Sequence, residues 1–313
     1  MPSGVFFVLT FEAIAQPAEM AEHSKVLLLD GFNLAFRAFH AMPELTDDNG
    51  FPTGALHGWI KTLWKLDDME TPSRMIVFFD QGGSQRHLEL LPDYKANRDE
   101  MPEALVLQLP IIRELTALCG CTIIAKEGVE ADDLLGAVAV HLAEAGEDVV
   151  VVSADKDLAQ LVRPEIAQLL PAPTANPRIG WRKLDVSGVE AKFGVPPERI
   201  PDYLALIGDN SDNIPGLKGV GPKTAVKWIL EHGGIDAIIA AAEELEPKRF
   251  RSMVAESVEL LKTNLELVTL SMEHRPAVPE QSRPNAAALV RVLERYGMKQ
   301  AAKQAWDRYG LGL

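Results

Sequence analysis

The stretch Val149-Val-Val-Val-Ser-Ala-Asp-Lys-Asp157 places a run of β-branched residues directly before two aspartates. Three other apolar runs, over residues 26–30, 75–80 and 122–125, are also followed or ended by acidic residues. Their hydrophobicity is continuous rather than alternating, which is typical of strands that are buried on both faces of a sheet. The four runs therefore predict a mostly parallel sheet covered by helices.

Helical patterns alternate with these runs and complete an α/β fold. They cover residues 53–66, 102–118 and 130–145, and the last one ends before Gly146, as helices often do. After about residue 186 the strand signal fades, and helical patterns broken by glycine and proline follow. We therefore predict an α/β core over residues 25–186, a helical subdomain over 187–285 and a helical tail over 286–313.

Composition excludes several classes of protein. The chain is 47% hydrophobic and 24% charged, as is ordinary for a folded domain, and its net charge of −14 argues against a uniformly basic nucleic-acid binder. Cys119 and Cys121 lie too close in the sequence for a disulfide between them to link distant parts of the fold. This favours a reducing, cytoplasmic compartment. Residues 1–24 lack the basic start of a signal peptide, and we expect a disordered or mis-started leader with Met20 as a second start.

Acidic side chains follow each of the four predicted strands. Because ligands gather at the carboxyl ends of parallel strands, we expect these acids to converge. A single acid there is usually a helix cap, but acids at four strand ends are harder to explain in that way. Two carboxylates ~4 Å apart repel by about 4 kcal/mol at an effective dielectric near 20, so such a cluster needs cations. Oxygen ligands alone favour Mg²⁺ or Mn²⁺, and two such ions are the usual device for phosphodiester hydrolysis.

A glycine-rich segment over residues 208–225 carries a different signal. Its glycines allow a tight turn over residues 216–221, and Pro222 then begins a new helix. The free N–H groups at that helix start, together with Lys218, Lys223 and Lys227, suit phosphate. A glycine turn alone is usually only a helix connection, whereas this combination favours contact with a duplex backbone, which positions DNA without reading its sequence.

Longer motifs make the chain resemble the 5′-nuclease superfamily, which includes flap endonucleases. They are Leu29-Asp-Gly31, Arg37-Ala-Phe-His40, Pro52-Thr-Gly-Ala55, Asp93-Tyr-Lys-Ala-Asn-Arg98, Glu130-Ala-Asp-Asp133, Ser153-Ala-Asp-Lys-Asp157 and Gly208-Asp-Asn-Ser-Asp-Asn-Ile-Pro-Gly216. More narrowly, the chain is similar to the 5′–3′ exonuclease domain of bacterial DNA polymerase I, in a stand-alone form. The resemblance implies a PIN-like, resolvase-like core with a helix–hairpin–helix subdomain.

The resemblance also implies roles for individual residues. The implied metal ligands are Asp30, Asp80, Glu130, Asp132, Asp133, Asp155, Asp157, Asp209 and Asp212. Lys95 and Arg98 match basic catalytic residues in a helical arch over about residues 81–103, through which a single-stranded 5′ end passes. The implied DNA contacts are Arg37, Tyr94, Lys218, Gly219, Gly221, Lys223 and Thr224. The segment 217–224 matches the family's helix–hairpin–helix element, where a K⁺ ion can bridge backbone carbonyls and DNA phosphate. For Tyr94, simple packing is an equal alternative to stacking on a base.

The function expected from this reading is a divalent-metal-dependent 5′–3′ exonuclease and 5′-flap endonuclease that leaves 5′-phosphate and 3′-hydroxyl ends. We expect a monomer in the bacterial cytoplasm, at the nucleoid and away from membranes, that acts on DNA 5′ ends, flaps and nicks in replication and repair beside a polymerase and a ligase. Two alternatives stay open: an RNA-cleaving relative on the same core, and a structure-specific DNA-binding module without catalysis. The complete acid set argues against the second.

Overall fold

The computed structural model describes residues 24–42, 45–280 and 282–310, so the predicted leader lies outside it except for Ser24. The strands are β1 (Lys25–Asp30), β2 (Arg74–Phe78), β3 (Thr122–Ile124), β4 (Asp148–Val152), β5 (Ile166–Leu170), β6 (Arg182–Leu184), β7 (Gly208–Asp209) and β8 (Ile214–Pro215). The helices are α1 (Gly31–Ala41), α2 (Gly54–Glu70), α3 (Gln85–Leu90), α4 (Glu103–Leu118), α5 (Ala131–Glu144), α6 (Val186–Phe193), α7 (Ile200–Ile207), α8 (Pro222–His232), α9 (Ile235–Ala240), α10 (Arg251–Glu256), α11 (Val258–Val268), α12 (Ala286–Arg295) and α13 (Lys299–Tyr309).

One six-stranded sheet organises the first half of the chain. Its order is β3-β2-β1-β4-β5-β6, and every neighbouring pair is parallel except β5 and β6. The predicted mostly parallel sheet is therefore confirmed. The chain moves outward from β1 to β3 on one side and returns on the other side at β4. This reversal between β1 and β4 creates a crevice at the carboxyl ends of the two strands, the usual ligand position in open α/β sheets.

Helices cover both faces of the sheet, which explains the continuous hydrophobicity of the strands. Leu27 and Leu29 of β1 face the layer formed by α1, α2, α4, α12 and α13, whereas Val26 and Leu28 face α5. All four side chains are fully buried. The helical tail thus completes one face of the α/β core instead of extending the helical subdomain.

The helical subdomain packs around the buried side chains of α7, α8 and α11, and this cluster extends to Leu170 of β5 and Leu184 of β6. Asn264 of α11 donates to the carbonyls of Ala205 (3.0 Å) and Pro215 (2.7 Å), which fixes the small β7–β8 hairpin against α7 and α11. Within residues 24–42, 45–280 and 282–310, no helix combines the length and apolar character needed to cross a bilayer.

The β7–β8 hairpin depends on the absence of a side chain at Gly208. Its φ of +75° is in the left-handed region, and a Cβ there would lie 2.3 Å from the backbone nitrogen of Gly216. We expect Gly208→Ala to lower the free energy of unfolding by about 2–4 kcal/mol in urea titrations. Gly221→Ala is the control, because a Cβ at Gly221 meets nothing within 4 Å. Equal stability of the two variants would contradict the strain argument.

Candidate active site

Asp30 and Asp155 lie at the crevice between β1 and β4. Asp30 caps α1 by accepting a hydrogen bond from the N–H of Asn33 (3.0 Å). The fully buried Ser153 joins the two acids, because its hydroxyl donates to Asp30 Oδ2 (2.7 Å) and accepts from the N–H of Asp155 (3.0 Å). A single hydroxyl thus ties the Asp30 carboxylate to the backbone of Asp155 at one end of the sheet.

Two further acids reach the same cleft from β2 and α5. Asp80 follows β2 and accepts from the N–H of Ala131 at the start of α5 (2.7 Å), and Asp132 is the next residue of that helix. Asp30, Asp80, Asp132 and Asp155, here called the cleft acids, line one cavity of about 310 Å³. The same cavity is lined by the basic side chains of Lys95, Arg98 and Arg37.

The environment of the cleft acids opposes their negative charge. Burial raises the pKa of Asp30 to about 6, and the neighbouring carboxylates contribute in the same direction. Burial also raises the pKa of Asp155, and burial together with the charges of Asp30 and Asp155 raises that of Asp132. Such a cluster is unfavourable when fully ionised and gains stability from cations.

A second cluster lies where the loop after β4 meets the β7–β8 hairpin. Asp157, Asp209 and Asp212, here called the Asp209 group, offer carboxylate oxygens that all lie within 4.8 Å of one another. Oδ1 of Asp157 is buried and has no hydrogen-bond partner among the described residues. Burial and the charge of Asp155 raise the pKa of Asp157. The group therefore contains an oxygen whose bonding capacity is unused.

The other two predicted acids have different surroundings. Glu130 accepts from Lys95 Nζ (2.6 Å) and from the Tyr94 hydroxyl (3.2 Å), so it faces the basic side of the site. Asp133 does not line the cleft. Its carboxylate accepts from the N–H of Ser271 (2.7 Å) and so ties α5 to the segment after α11.

The predicted arch segment, residues 81–103, is helical only over α3, because a turn follows and α4 begins at Glu103. The turn is docked on the β7–β8 hairpin. Arg98 donates to Asp212 Oδ1 (2.5 Å), and the N–H of Lys95 donates to the Asp212 carbonyl (3.0 Å). Burial alone would lower the pKa of Lys95, but the charges of Glu130 and Asp212 hold this pKa above its usual range. Both predicted basic residues thus lie over the acids as cations.

Tyr94 is buried at the centre of this contact, with 8% of its surface exposed. Its hydroxyl donates to Glu130 and to Asp212 (3.1 Å), and its ring stacks on His87 with the centroids 4.6 Å apart. The packing interpretation of Tyr94 fits this arrangement. Stacking on a base does not, because the ring is covered.

The predicted DNA contacts of the helical subdomain lie on its surface. Lys218, Gly219 and Lys223 are exposed, while the neighbouring Leu217 and Val220 are buried in the subdomain core and anchor the turn. Gly221 precedes α8 without a side-chain cap, Pro222 is its first residue, and the N–H of Thr224 bonds the Gly221 carbonyl (3.0 Å). The first turn of α8 is therefore accessible.

Sequence reasoning missed three residues that organise the site. Ser153 links two acids, and Gln168 of β5 donates to the carbonyls of Ser153 (3.1 Å) and Asp155 (2.5 Å). Lys156 contacts Asp209 directly. Each left a signal: Ser153 and Lys156 stand within the quoted motif, and an amide inside a buried strand is unusual enough to demand a partner.

Comparison with known proteins matches two family models across most of the chain. Residues 25–194 match the 5′–3′ exonuclease N-terminal resolvase-like domain, and residues 195–285 match the 5′–3′ exonuclease C-terminal SAM fold. Helix α6 lies within the first model, although the sequence placed it in the helical subdomain. A 5′–3′ exonuclease of Aquifex aeolicus is 34% identical over 88% of this chain and 93% of its own length.

Longer relatives and solved structures agree with this match. The DNA polymerase I of Rhizobium leguminosarum is 35% identical over 86% of this chain, which spans only 26% of that polymerase. Two solved structures have the same fold. The zinc-bound T5 5′-exonuclease matches with a TM-score of 0.65 and 24% identity over 91% of this chain and 96% of its own. The catalytic core of Rad2 with DNA substrate matches with a TM-score of 0.59 and 14% identity over 88% of both chains. The chain belongs to the 5′–3′ exonuclease family.

Proposed function

We propose that the chain is a divalent-cation-dependent nuclease that removes nucleotides from DNA 5′ ends and cuts 5′ flaps, leaving 5′-phosphate and 3′-hydroxyl ends. The observation that carries the proposal is the convergence of the four cleft acids on one cavity that Lys95, Arg98 and Arg37 also line. A phosphoryl-transfer site needs carboxylates that bind metal cations and positively charged side chains that bind the phosphodiester, and this cavity contains both.

The residues of the site fit a pair of divalent cations. The cleft acids would hold one ion, and the Asp209 group, in which Asp157 Oδ1 accepts no hydrogen bond from the described residues, would hold the other. The donors are oxygens alone, which favours Mg²⁺ or Mn²⁺. Such ions, when bound, supply a nucleophilic hydroxide and neutralise charge on the scissile phosphate. Glu130 and Asp133 have other partners in this conformation and are proposed as supporting residues.

The basic residues give the phosphate its position. Lys95 and Arg98 lie over the acids and would turn from Glu130 and Asp212 to the non-bridging oxygens of the scissile phosphate. Arg37 on α1 lines the same cavity and would hold a neighbouring phosphate. Tyr94 would keep the turn in place, since its hydroxyl joins Glu130 to Asp212.

The turn before α8 would bind the duplex backbone away from the cleft. Gly219, Gly221 and Thr224 would offer backbone groups to phosphate, directly or through a K⁺ ion, with Lys218 and Lys223 beside them. We expect Lys218→Ala to weaken duplex binding for every sequence and to reduce the salt slope of log K by about 1. Fluorescence anisotropy at several salt concentrations measures this, and an unchanged slope would contradict the contact.

Metal binding should couple to pH in a defined direction. Carboxyl groups of the unfolded chain have pKa values near 4. In the folded chain, burial raises the pKa of Asp30 to about 6 and also raises the pKa of Asp155. The folded chain therefore holds more protons between these pKa values, so the metal-free protein should lose stability from about pH 4 to about pH 6. Mg²⁺ replaces those protons, and we expect its effect on Tm to grow over the same range. A constant Tm gain would contradict the coupling.

The cellular setting is also a proposal. The likeness to polymerase I relatives, of which this chain spans about a quarter to a third, supports action beside a DNA polymerase and then a ligase. We propose a monomer in the bacterial cytoplasm at the nucleoid, since the two buried thiols form no disulfide among the described residues and the substrate is DNA.

The decisive experiment is cleavage of end-labelled 5′-flap, nicked and single-stranded DNA, with a matched RNA flap, in Mg²⁺, Mn²⁺ or chelator. We expect metal-dependent products from the DNA substrates, with short products from ends and longer ones from flaps. Faster cleavage of the RNA flap would favour the RNA-cleaving alternative. Binding of flap DNA that stays intact with either metal would favour the non-catalytic module.

A further inference from the structure

Lys156 gives the Asp209 group a cation of its own. Its ammonium group contacts Asp209 Oδ2 and lies 3.7 Å from Asp157 Oδ1, the buried oxygen without a hydrogen-bond partner. The third member of the group, Asp212, is paired with Arg98. Each carboxylate of the group therefore faces an internal positive charge.

The cleft acids differ in this respect. Among the described residues, no lysine, arginine or histidine nitrogen lies within 4.0 Å of a carboxylate oxygen of Asp30, Asp80, Asp132 or Asp155. Their polar partners are instead a hydroxyl and backbone N–H groups, such as Ser153 on Asp30 and Ala131 on Asp80. A divalent cation that enters the cleft displaces no ammonium group from these acids, whereas one that enters the Asp209 group competes with Lys156.

The position of Lys156 allows that exchange. About a third of its side chain is exposed (32%), whereas the side chain of Asp209 is 6% exposed. The acid is thus held in place, also by the N–H (2.9 Å) and hydroxyl (2.6 Å) of Ser211, while the lysine has a flexible stem with a route to solvent. The ammonium group can leave without a change of backbone.

We propose that Lys156 is a resident counter-ion of the Asp209 group, which it stabilises in the metal-free protein and leaves when a divalent ion binds there. The inference rests on the proposed function, because it assigns an order to the two ions. The cleft acids fill first, and the Asp209 group fills second and more weakly, because Lys156 must be displaced. Lys156 is thus a positioning residue that sets how much metal the enzyme needs.

The test is calorimetric titration of the DNA-free protein with Mn²⁺. The wild-type chain should show a tighter and a weaker phase, and Lys156→Met should tighten the weaker phase by roughly ten-fold. The tighter phase should change less, because Lys156 acts on the cleft acids only through its charge near Asp155 and bonds none of their carboxylates. The metal-free variant should also have a lower Tm than the wild type. Should Lys156→Met not stay folded without metal, Lys156→Gln removes the charge and keeps a donor for Asp209, with the same expected result.

Lys192→Met is the matched control, because it also removes one positive charge within electrostatic reach of Asp155. The ammonium group of Lys192 lies over the ring of Phe193 and bonds none of the site acids among the described residues. It should leave both phases unchanged. A single phase in the wild type, an unaltered weaker phase in the Lys156 variants, or equal tightening in Lys192→Met overturns the inference. Failure of the proposed function is a separate result, since it would appear as wild-type protein that cleaves no DNA in either metal.

Discussion

Asp155→Asn is expected to lower metal-dependent flap cleavage by at least about a thousand-fold. Asp155 lies at the crevice between β1 and β4 and lines the cavity with the other cleft acids, so the substitution removes a ligand charge from the centre of the site. Asparagine keeps the side-chain oxygen that accepts from the N–H of Asp157 (2.9 Å). Single-turnover cleavage of a labelled 5′ flap measures the loss.

The fold should survive this substitution. Burial raises the pKa of Asp155, so its charge costs the metal-free protein stability, and we expect the variant to unfold at the same or a higher temperature without metal. Asp148→Asn is the control, because Asp148 is exposed at the start of β4, whereas Asp155 follows the end of that strand. Wild-type cleavage by Asp155→Asn would refute the site assignment.

Lys95→Met is expected to lower the rate of the chemical step by about a hundred- to a thousand-fold, because the substitution removes a cation that lines the cavity above the cleft acids. Lys95 Nζ pairs with Glu130 at 2.6 Å, so the metal-free variant should also lose stability. Single-turnover rates at saturating protein separate chemistry from DNA binding.

A matched control for Lys95 is Lys126→Met, since Lys126 contacts His274 at an exposed position and does not line the cavity. We expect wild-type rates from it. If Lys95→Met weakened flap binding but cleaved bound flap at the wild-type rate, Lys95 would be a binding residue only.

The architecture could be predicted because its signals are local. Four apolar runs mark β1 to β4, and Asp30 and Asp155 stand at strand ends that a parallel sheet must bring together. Likewise, Pro222 marks the start of α8. These features follow from the period of hydrophobicity and from backbone chemistry, which a single sequence displays directly.

The partners of individual side chains could not be predicted in the same way. Lys95 pairs with Glu130, 35 positions away, and Arg98 pairs with Asp212, 114 positions away. Nothing in the spacing distinguishes Asp133, which bonds the backbone of Ser271, from its neighbour Asp132, which lines the cleft. Such pairings depend on how the helical subdomain seats against the sheet, and that is a property of tertiary packing.

The docking of the turn after α3 on the β7–β8 hairpin has a consequence for chimaeras between members of the family. Asn97 donates to the Asn210 carbonyl (2.5 Å), and Asn213 donates back to the Asp93 carbonyl (2.7 Å). A hybrid joined near residue 194 would combine one parent's turn with the other parent's hairpin. Functional hybrids should therefore require residues 93–98 and 209–213 to be inherited together, although the two stretches lie in different domains of the chain.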